Sequence, residues 1–384
     1  MRKTICLGDM ATYINGYAFK PADWGTKGLP IIRIQNLTDS GKDYNYYEGE
    51  VKEKYLVRKG DVLISWSASI GVYEWEKEDA WLNQHIFKVV FDKGEVDKRY
   101  FKYATGYVLE KSLQYAHGST MKHLTKGAFD KLPIPIYDLK EQRVIAEKIG
   151  KVDEAIFECE AMLADFELLV KSRFVEMFGD PVTNPMGWET GTLADVIRTK
   201  ASNGFFAKRN AYNPDGNVAV LGVVDVVNRM YSKINDLPRT DATEKDIKKF
   251  RVGYGDILFC RSSLVQAGIG KASIVPRGIS DDILFECHVI RLQLDMNKCL
   301  PEFVQILVST EYCRNQLIAV SKTATMTTIG QDGVLATKIY IPPLDLQNKF
   351  LEVVELADKS KLTIQKSMDN LQELRDSLLQ EYFG

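Results

Sequence analysis

The residues best suited to catalysis or metal binding are not arranged in any familiar reactive site. No metal-ligand spacing relates the four histidines to a cysteine or to one another; they are His85, His117, His123 and His288. Gly270-Lys271 is followed by alanine and lacks the earlier glycine of a phosphate-binding loop, and no Gly-x-Gly-x-x-Gly motif occurs. The sequence therefore predicts no catalytic residue, no metal site and no bound cofactor.

One loose match to a nuclease site is kept as an alternative. Asp39, Glu50 and Lys52 are residue types that hold Mg²⁺ and activate water. Acid-x-lysine triplets also arise by chance in a chain with 27% charged residues. A stand-alone, magnesium-dependent nuclease therefore remains an alternative function, which cleavage of DNA by the purified chain would establish.

Length and composition are those of an ordinary globular chain. At roughly 100–200 residues per domain, 384 residues predict two or three domains. No apolar run reaches the ~18 residues of a membrane-spanning helix, and the N-terminus has no signal-peptide core. None of the six cysteines forms a Cys-x-x-Cys pair. We therefore expect a cytoplasmic protein with reduced thiols and no membrane partner.

Six short strings occur twice in the same order, which indicates an internal repeat. The offset between the copies grows from 186 to about 205 residues, so the second copy is the longer. The matched strings are Leu7–Asp9 with Leu193–Asp195, Gly60–Ile64 with Gly255–Phe259, Gln84–Phe87 with Cys287–Ile290, Ser119–Met121 with Ala324–Met326, Pro135–Leu139 with Pro342–Leu346, and Glu176–Gly179 with Glu381–Gly384.

The first part of each copy is predicted to be a mixed α+β globular domain with a curled β-sheet. These parts are residues 1–138 and 181–345. Short apolar runs such as Leu29–Ile34 and Val289–Leu294 are separated by Gly, Asn and Asp, as is typical of strands and turns. A helix is expected in each domain, over Lys98–Leu113 and Pro301–Ala319.

The second part of each copy, residues 139–180 and 346–384, has the apolar spacing of a coiled-coil helix. Two charged residues, Lys361 and Arg375, interrupt the stripe. Either their long stems pass alongside it, or they fix the register of the helices. The predicted seam residues are Ile145, Ile149, Val152, Ile156, Cys159, Leu163, Phe166 and Val170, then Phe350, Val354, Ala357, Ile364, Met368, Leu371, Leu378 and Tyr382.

Each apolar stripe needs a partner, and the nearest is the stripe of the other copy. The simplest arrangement has the two helices antiparallel, with helix 2 returning the chain to the first domain. The predicted architecture is a dumbbell with pseudo-twofold symmetry, in which two similar globular domains are held apart by a coiled coil. The alternative is an ordinary amphipathic helix that packs on its own domain.

These features together resemble the specificity subunit of type I restriction–modification systems. The resemblance covers essentially the whole chain, and its motifs recur in order with a heptad helix after each copy. It rests on Leu132–Gln142 leading into helix 1, on Phe178–Pro181 followed by Asn184–Trp188, and on Gly60–Ser67 with Asn83–His85.

The resemblance implies that each globular domain is a target recognition domain for one half of a split DNA sequence. The helices would set the spacer and dock two methyltransferase (M) subunits, and restriction/translocase (R) subunits would join them. The chain itself would be non-catalytic. The assembled complex would be a site-specific deoxyribonuclease and adenine methyltransferase, whose partner subunits use S-adenosylmethionine, ATP and Mg²⁺. A helical adaptor that binds only proteins is a further alternative.

One departure from the family pattern is expected at the start of helix 2. The family's Leu-x-Glu-Gln motif is Leu139–Gln142 in the first copy, and Lys349 takes the place of the glutamine in the second. We therefore expect the start of the second helix to be capped or docked differently from that of the first.

The charge distribution fits DNA contact by the globular domains. The whole chain has a net charge of -2, but the segments 1–138 and 181–345 are each +2, whereas the segments 139–180 and 346–384 are -4 and -2. Phosphate binding needs basic surface, so the domains rather than the helices are expected to contact DNA.

Candidate DNA-contacting residues are loop donors and acceptors of the types that read bases and phosphates. The runs Ser119–His123 and Lys322–Thr328, at matching places in the copies, are the best loops. His85 and His288 flank apolar strands and are expected to be structural, and Trp66 corresponds to Arg261. The candidates are Asn15, Tyr17, Lys20, Arg33, Gln35, Asn36, Ser65, Trp66, Ser67, Ser69, Gln84, Lys122 and His123, then Lys208, Arg209, Asn210, Arg261, Ser262, Ser263, Gln266, Lys322, Thr323, Thr325, Thr327 and Thr328.

Overall fold

A computed structural model describes residues 3–38, 43–67, 69–115 and 125–384. The chain divides into two compact units: unit 1 contains Met1–Glu160 and Gln365–Gly384, and unit 2 contains Ala161–Ile364. Both long helices contribute to both units, because the division falls inside each of them. Among the described residues, no helix is long and apolar enough to cross a membrane.

The strands and short helices of unit 1 form one globular domain. Its strands are β1 Thr4–Cys6, β2 Thr12–Asn15, β3 Leu29–Ile32, β4 Asn45–Tyr47, β5 Leu56–Val57, β6 Val62–Ser65, β7 Gly71–Glu74, β8 Ala80–Leu82, β9 Ile86–Val90 and β10 Pro133–Pro135. Its helices are α1 Leu7–Met10, α2 Ile34–Leu37, α3 Lys98–Tyr115 and α4 Lys126–Asp130, and the long helix α5 Leu139–Phe178 follows.

Unit 2 has the corresponding elements and a few additional ones. Its strands are β11 Glu189–Thr192, β12 Ser202–Asn203, β13 Val218–Leu221, β14 Arg239–Thr240, β15 Ile257–Cys260, β16 Ser262–Ser263, β17 Ala272–Ile274, β18 Ile283–Phe285, β19 Val289–Leu292, β20 Lys322–Thr323, β21 Thr327–Thr328 and β22 Lys338–Ile341. Its helices are α6 Val223–Val226, α7 Glu244–Phe250, α8 Pro301–Ser309, α9 Glu311–Ala319 and α10 Gln331–Leu335, and α11 Leu344–Phe383 is the second long helix.

The two units share one sheet topology, which confirms the repeat predicted from the sequence. In unit 1 the main sheet has the order β2-β9-β6-β7, and in unit 2 the corresponding order is β12-β19-β15-β17. In the second sheets, β3 pairs with β8 and β13 pairs with β18, both in parallel. The domains are therefore mixed α+β, as expected.

The repeated Gly-Asp motif is explained by folding rather than by chemistry. Gly60 and Gly255 have φ angles of +86° and +83°, which a residue without a Cβ adopts readily. The following carboxylates reach basic side chains of the neighbouring strand: Asp61 lies 2.9 Å from Lys88 Nζ, and Asp256 lies 3.7 Å from Arg291 Nη1. A tight turn and an ion pair therefore fix the same strand in both domains.

The two long helices pack antiparallel in each unit. Every residue of the predicted seam is buried or half-buried. In unit 1, Lys148 Nζ donates to the Tyr382 hydroxyl, and Asp153 pairs with Arg375. In unit 2, the ring of Phe178 at the end of α5 lies 5.4 Å from that of Phe350 near the start of α11. Both helices have 40 residues and are about 60 Å long.

The two charges in the predicted stripe have different environments. Arg375 Nε donates to Asp153 Oδ1 at 2.6 Å, and Asp153 Oδ2 also accepts a 2.8 Å hydrogen bond from the Tyr103 hydroxyl. These bonds favour the register explanation for Arg375, since a shift of the helices would break them. Lys361 instead lines a cleft of about 680 Å³ in unit 2, together with Lys171 and Lys271.

The expectation that the second copy lacks the glutamine at the start of helix 2 is wrong. Gln142 Oε1 accepts a hydrogen bond from the Asp97 backbone, and its Nε2 donates to the Tyr137 carbonyl. Gln347 makes the same two bonds in unit 2, to the Leu300 nitrogen and the Pro342 carbonyl. Gln347 therefore occupies the place that the sequence comparison gave to Lys349, because α11 begins two residues earlier than the matched string implied.

The predicted helix over Pro301–Ala319 is two helices. The Thr310 backbone is extended, with φ -64° and ψ 153°, and its hydroxyl accepts a hydrogen bond from the Cys313 nitrogen. Threonine at this position caps the next helix, so α8 ends and α9 begins at Thr310. The first-domain helix runs from Lys98 to Tyr115, close to the prediction.

A pair of glycines that the sequence comparison did not match marks the tightest contact in each domain. A Cβ on Gly16 would lie 2.0 Å from the Asn83 carbonyl oxygen, and one on Gly204 would lie 2.2 Å from that of Phe285. Both follow an asparagine at the end of a strand. Only glycine allows the chain to approach the neighbouring backbone so closely.

We predict that Gly16→Ala lowers the free energy of unfolding by about 1–3 kcal/mol, because the added carbon overlaps backbone that cannot move freely. The matched control is Gly106→Ala in α3, where a Cβ meets nothing within 4 Å. That change is expected to be neutral or to stabilise the helix by about 0.5–1 kcal/mol. Urea unfolding followed by tryptophan fluorescence measures both, and equal midpoints for the two variants would contradict this account.

Candidate nucleic-acid interface

In unit 1, polar side chains from several strands meet at one edge of the sheets. The parallel strands β3 and β8 end together, and the Asn83 nitrogen donates to the Ile32 carbonyl at 3.4 Å. The Gln84 nitrogen donates to the Tyr17 carbonyl at 2.8 Å. Arg33, which follows Ile32, is therefore brought to the same edge as Tyr17 and Gln84.

Trp66 joins this edge from strand β6. Its Nε1 donates to Asn15 Oδ1 at 3.3 Å, and its ring stacks on Phe87 with the centroids 5.8 Å apart. The ring of His85 lies 5.1 Å from that of Trp66. Trp66 is half-buried, so it combines a role in the core with an exposed edge.

Arg33 is held in a fixed position by its neighbours. Its guanidinium lies 4.7 Å from the ring centroid of Trp24, and its Nη1 donates to Asn45 Oδ1 at 3.0 Å. The Arg33 backbone nitrogen also donates to Asn36 Oδ1 at 3.0 Å. A guanidinium stacked and oriented in this way loses little conformational freedom when it binds a base or a phosphate.

The other candidates of unit 1 have diverse environments. Lys20 and Ser69 are exposed, and Gln35 is half-buried. Ser65 is fully buried and its hydroxyl donates to the Ser67 carbonyl, and Ser67 itself is only 8% exposed. Lys122 and His123, with the rest of the Ser119–His123 loop, lie outside the described residues.

In unit 2, most of the candidates are brought together by a small sheet of order β16-β21-β20. Ser262 and Ser263 pair with Thr328 and Thr327, and Lys322 and Thr323 complete the hairpin. The Thr323 and Thr327 hydroxyls are 3.0 Å apart and hydrogen-bonded. Lys322, Thr323, Thr325 and Thr328 are exposed, whereas Thr327 and Ser262 are buried.

Arg261 corresponds to Trp66, as the sequence predicts. The backbone nitrogens of Trp66 and Arg261 donate to the carbonyls of His85 and His288, at 3.3 and 2.8 Å. Arg261 Nη1 also donates to the Cys287 carbonyl at 3.1 Å, and His288 Nδ1 hydrogen-bonds the Ser262 hydroxyl. Both histidines are thus part of the framework, which agrees with the structural role expected for them.

The remaining candidates of unit 2 lie on other segments. Lys208, Arg209 and Asn210 are exposed on a separate turn, and Gln266 is exposed in the turn that follows β16. Burial raises the pKa of the neighbouring Cys260 and Cys287 thiols, so both are protonated at neutral pH and are poor nucleophiles. Among the described residues, no group of His, Cys, Asp and Glu is placed to hold a metal ion.

Sequence reasoning missed the apolar part of this surface. Leu264 and Val265 directly follow Ser263 and are 82% and 65% exposed, and Phe206 precedes the Lys208 turn with 68% exposure. The candidates chosen from the sequence were hydrogen-bond donors and acceptors, so they do not include these apolar residues. The signal in the sequence was an apolar pair inside a run of turn and hydroxyl residues.

The family model for the type I restriction modification DNA specificity domain matches residues 2–163 and 185–374. The EcoBI specificity subunit of Escherichia coli is 23% identical over 99% of this chain and 85% of its own length. The StySPI specificity subunit of Salmonella potsdam is 27% identical over 68% of this chain and 58% of its own length.

Solved structures show the same fold. The S subunit of a type I restriction-modification system from M. genitalium superposes with a TM-score of 0.55 at 14% identity, covering 100% of this chain and 96% of that one. A chain from a study of assembly and conformational transition in the type I R-M system has a TM-score of 0.55 at 16% identity, over 99% and 97% of the two chains. The family model matches most of the chain, once in each copy of the repeat, which shows that the chain belongs to the family of type I restriction modification DNA specificity domains.

Proposed function

We propose that this chain is the non-catalytic DNA-recognition subunit of a cytoplasmic type I restriction–modification complex. Each globular domain reads one half of a bipartite site, and the long helices set the spacer. Methyl transfer, ATP hydrolysis and cleavage belong to M and R subunits, which use S-adenosylmethionine, ATP and Mg²⁺. Family membership and the repeated edge of the two domains support this proposal.

The observation that carries the proposal is one framework with two sets of side chains. The same backbone bond links Trp66 to His85 in unit 1 and Arg261 to His288 in unit 2. On these equivalent frames the side chains differ: Trp66 corresponds to Arg261, and Tyr17, which is 39% exposed, corresponds to the half-buried Phe205. Base readout depends on donors, acceptors and apolar groups at the edge, so the two domains read different half-sites.

The charges support binding that is modest in the isolated chain and stronger in a complex. Each globular domain carries a net charge of only +2, and the helical segments are acidic. Phosphate contacts supply most non-specific affinity, and their contribution falls with salt. We therefore expect weak, salt-sensitive binding by this chain alone and tight binding once M subunits contribute their own contacts.

Exposed apolar residues of the two helices provide a docking surface for two copies of one partner. Phe157 and Leu374 are 71% and 47% exposed in unit 1, and Leu362 and Leu169 are 59% and 44% exposed in unit 2. Phe157 and Leu362 stand at equivalent heptad positions of the two helices, as do Leu169 and Leu374. Each unit thus presents one residue from each of these two heptad positions. This is the pattern expected if two M subunits bind in equivalent ways.

The ruler role of the helices gives a testable prediction about DNA recognition. Inserting one heptad into α5 and one into α11 lengthens each helix by about 10 Å, or about 3 base pairs of duplex, while preserving the seam. We expect the preferred spacer to change and both half-sites to be unchanged. The measurement is selection from a random duplex library by the complex with M subunits.

The single-helix insertions are the control, because they shift one helix against the other and are expected to weaken assembly. Altered half-site sequences in the double insertion would contradict the ruler role. An absence of salt-dependent DNA binding by the uninserted complex would contradict the whole proposal and favour a helical adaptor.

The docking surface gives a prediction about subunit assembly. Phe157→Ser with Leu374→Ser should reduce the bound M subunits from two to one per chain, and adding Leu169→Ser and Leu362→Ser should remove both. Native mass spectrometry counts them. The control variant Glu158→Ser with Glu373→Ser changes exposed neighbours on the same helices and should keep two. Two M subunits on the fourfold variant would rule out these residues as the dock.

A further inference from the structure

The most exposed large apolar side chain among the described residues is Leu264, at 82%, and its neighbour Val265 is 65% exposed. Isolated exposed apolar residues are common on protein surfaces. These two are unusual because they follow β16 directly, inside the surface that carries Ser263, Thr325 and Lys322. Their position places the pair against the same DNA that these polar side chains would contact.

The turn that carries the pair is fixed on both sides. Ser263 pairs with Thr327 on the hairpin, and the Val265 nitrogen donates to the Ser263 hydroxyl at 3.3 Å. The Gly268 nitrogen donates to the Val265 carbonyl at 3.0 Å. A Cβ on Gly268 would lie 2.3 Å from Ser263 Oγ, so a larger residue there would displace the hydroxyl that accepts the hydrogen bond from the Val265 nitrogen. The outward direction of the two apolar side chains is therefore built into the fold.

The corresponding connection of unit 1, between β6 and β7, is shorter. Strand β15 follows β6 by 195 residues, as in Leu63 and Leu258, but β17 follows β7 by 200, as in Tyr73 and Ser273, so unit 2 has five additional residues in this connection. Ser69 is exposed and polar, whereas Ile70 is half-buried and packs against the core of its domain. Among the described residues of the two connections, an exposed apolar pair occurs only in that of the second domain, as a determinant of base specificity would.

An apolar side chain among base-reading groups has one standard use in the major groove. Thymine alone presents a 5-methyl group there, and small apolar side chains recognise it by contact. The hydroxyls and Lys322 beside the pair supply the phosphate and base-edge contacts that would hold the turn against the groove.

We propose that Leu264 and Val265 read the 5-methyl groups of thymines in the half-site bound by the second domain. This inference rests on the proposed function and deepens it, since it names the base and the chemical group. It assigns to the first domain no equivalent apolar contact, because the described residues of its shorter connection expose Ser69 and no apolar side chain.

The test replaces thymine by deoxyuridine, which removes only the methyl group. After the bipartite site is identified by library selection, each thymine of both half-sites is replaced singly, and binding by the full complex is measured. We expect roughly fourfold weaker binding at one or two positions of the second half-site, the loss corresponding to one buried methyl group.

Leu264→Ser, which replaces the apolar side chain with a small polar one, should weaken binding to the thymine site and abolish the difference between thymine and deoxyuridine. The control Val224→Ser removes an equally apolar, 74% exposed side chain of α6 in the same domain and should leave that difference intact. A chain that fails to bind the unsubstituted site would refute the proposed function instead, so the two failures are distinguishable.

Three results would overturn the inference. One is equal binding of thymine and deoxyuridine throughout the second half-site, even if Leu264→Ser weakens binding, which would indicate a wedge between bases. Another is an unchanged thymine preference in Leu264→Ser. The last is a second half-site that contains no A·T pair.

Discussion

The structure depends on a contact between residues far apart in sequence: the end of the chain completes the core of the first domain. Phe383 is buried, and its ring lies 5.4 Å from that of Tyr100. The Tyr137 hydroxyl donates to the Tyr382 carbonyl at 3.0 Å. Residues 365–384 of α11 therefore belong to the first unit, and this requires α11 to run antiparallel to α5 there. The helices are thus structural parts of the domains as well as connections between them.

The repeated framework explains how one fold holds two different reading surfaces. A glycine turn and a partly buried ion pair, Asp61 with Lys88 and Asp256 with Arg291, fix the same central strands in each domain. The close approaches at Gly16 and Gly204 fix the loop that crosses them. With the backbone determined by these contacts, the side chains at the edge are free to differ. Trp66 and Arg261 show this most clearly, since their backbones make the same bond and their side chains are a neutral indole and a charged guanidinium.

The sequence predicted the repeat, the α+β domains and the seam, because each of these has a periodic signature. It failed where partners are set by tertiary contact. Arg375 interrupts an apolar stripe, and only the position of Asp153 reveals why. The sequence comparison gave the position of Gln142 to Lys349 rather than to Gln347. The repeated motifs do not reveal that the second long helix begins two residues earlier. Thr310 divides a predicted helix, although its type and position are those of a cap.

The interface was predictable only in part for the same reason. Residue types identified Lys322, Thr325 and Arg261 as candidates, but the exposure of each depends on strand pairing that no local pattern specifies. Ser65 and Thr327 have suitable hydroxyls and are buried. Leu264 has no hydrogen-bonding side chain and is therefore not among the polar candidates, yet it is the most exposed large apolar residue among those described.

The central claim is that one chain reads two half-sites at a fixed separation. Methylation-aware sequencing of the genome of the host cell tests it most directly, since methylated adenines mark every site that the complex recognises. The account predicts one bipartite motif, with two defined half-sites and a spacer of constant length and free sequence. A single uninterrupted motif, or half-sites at variable separation, would contradict it.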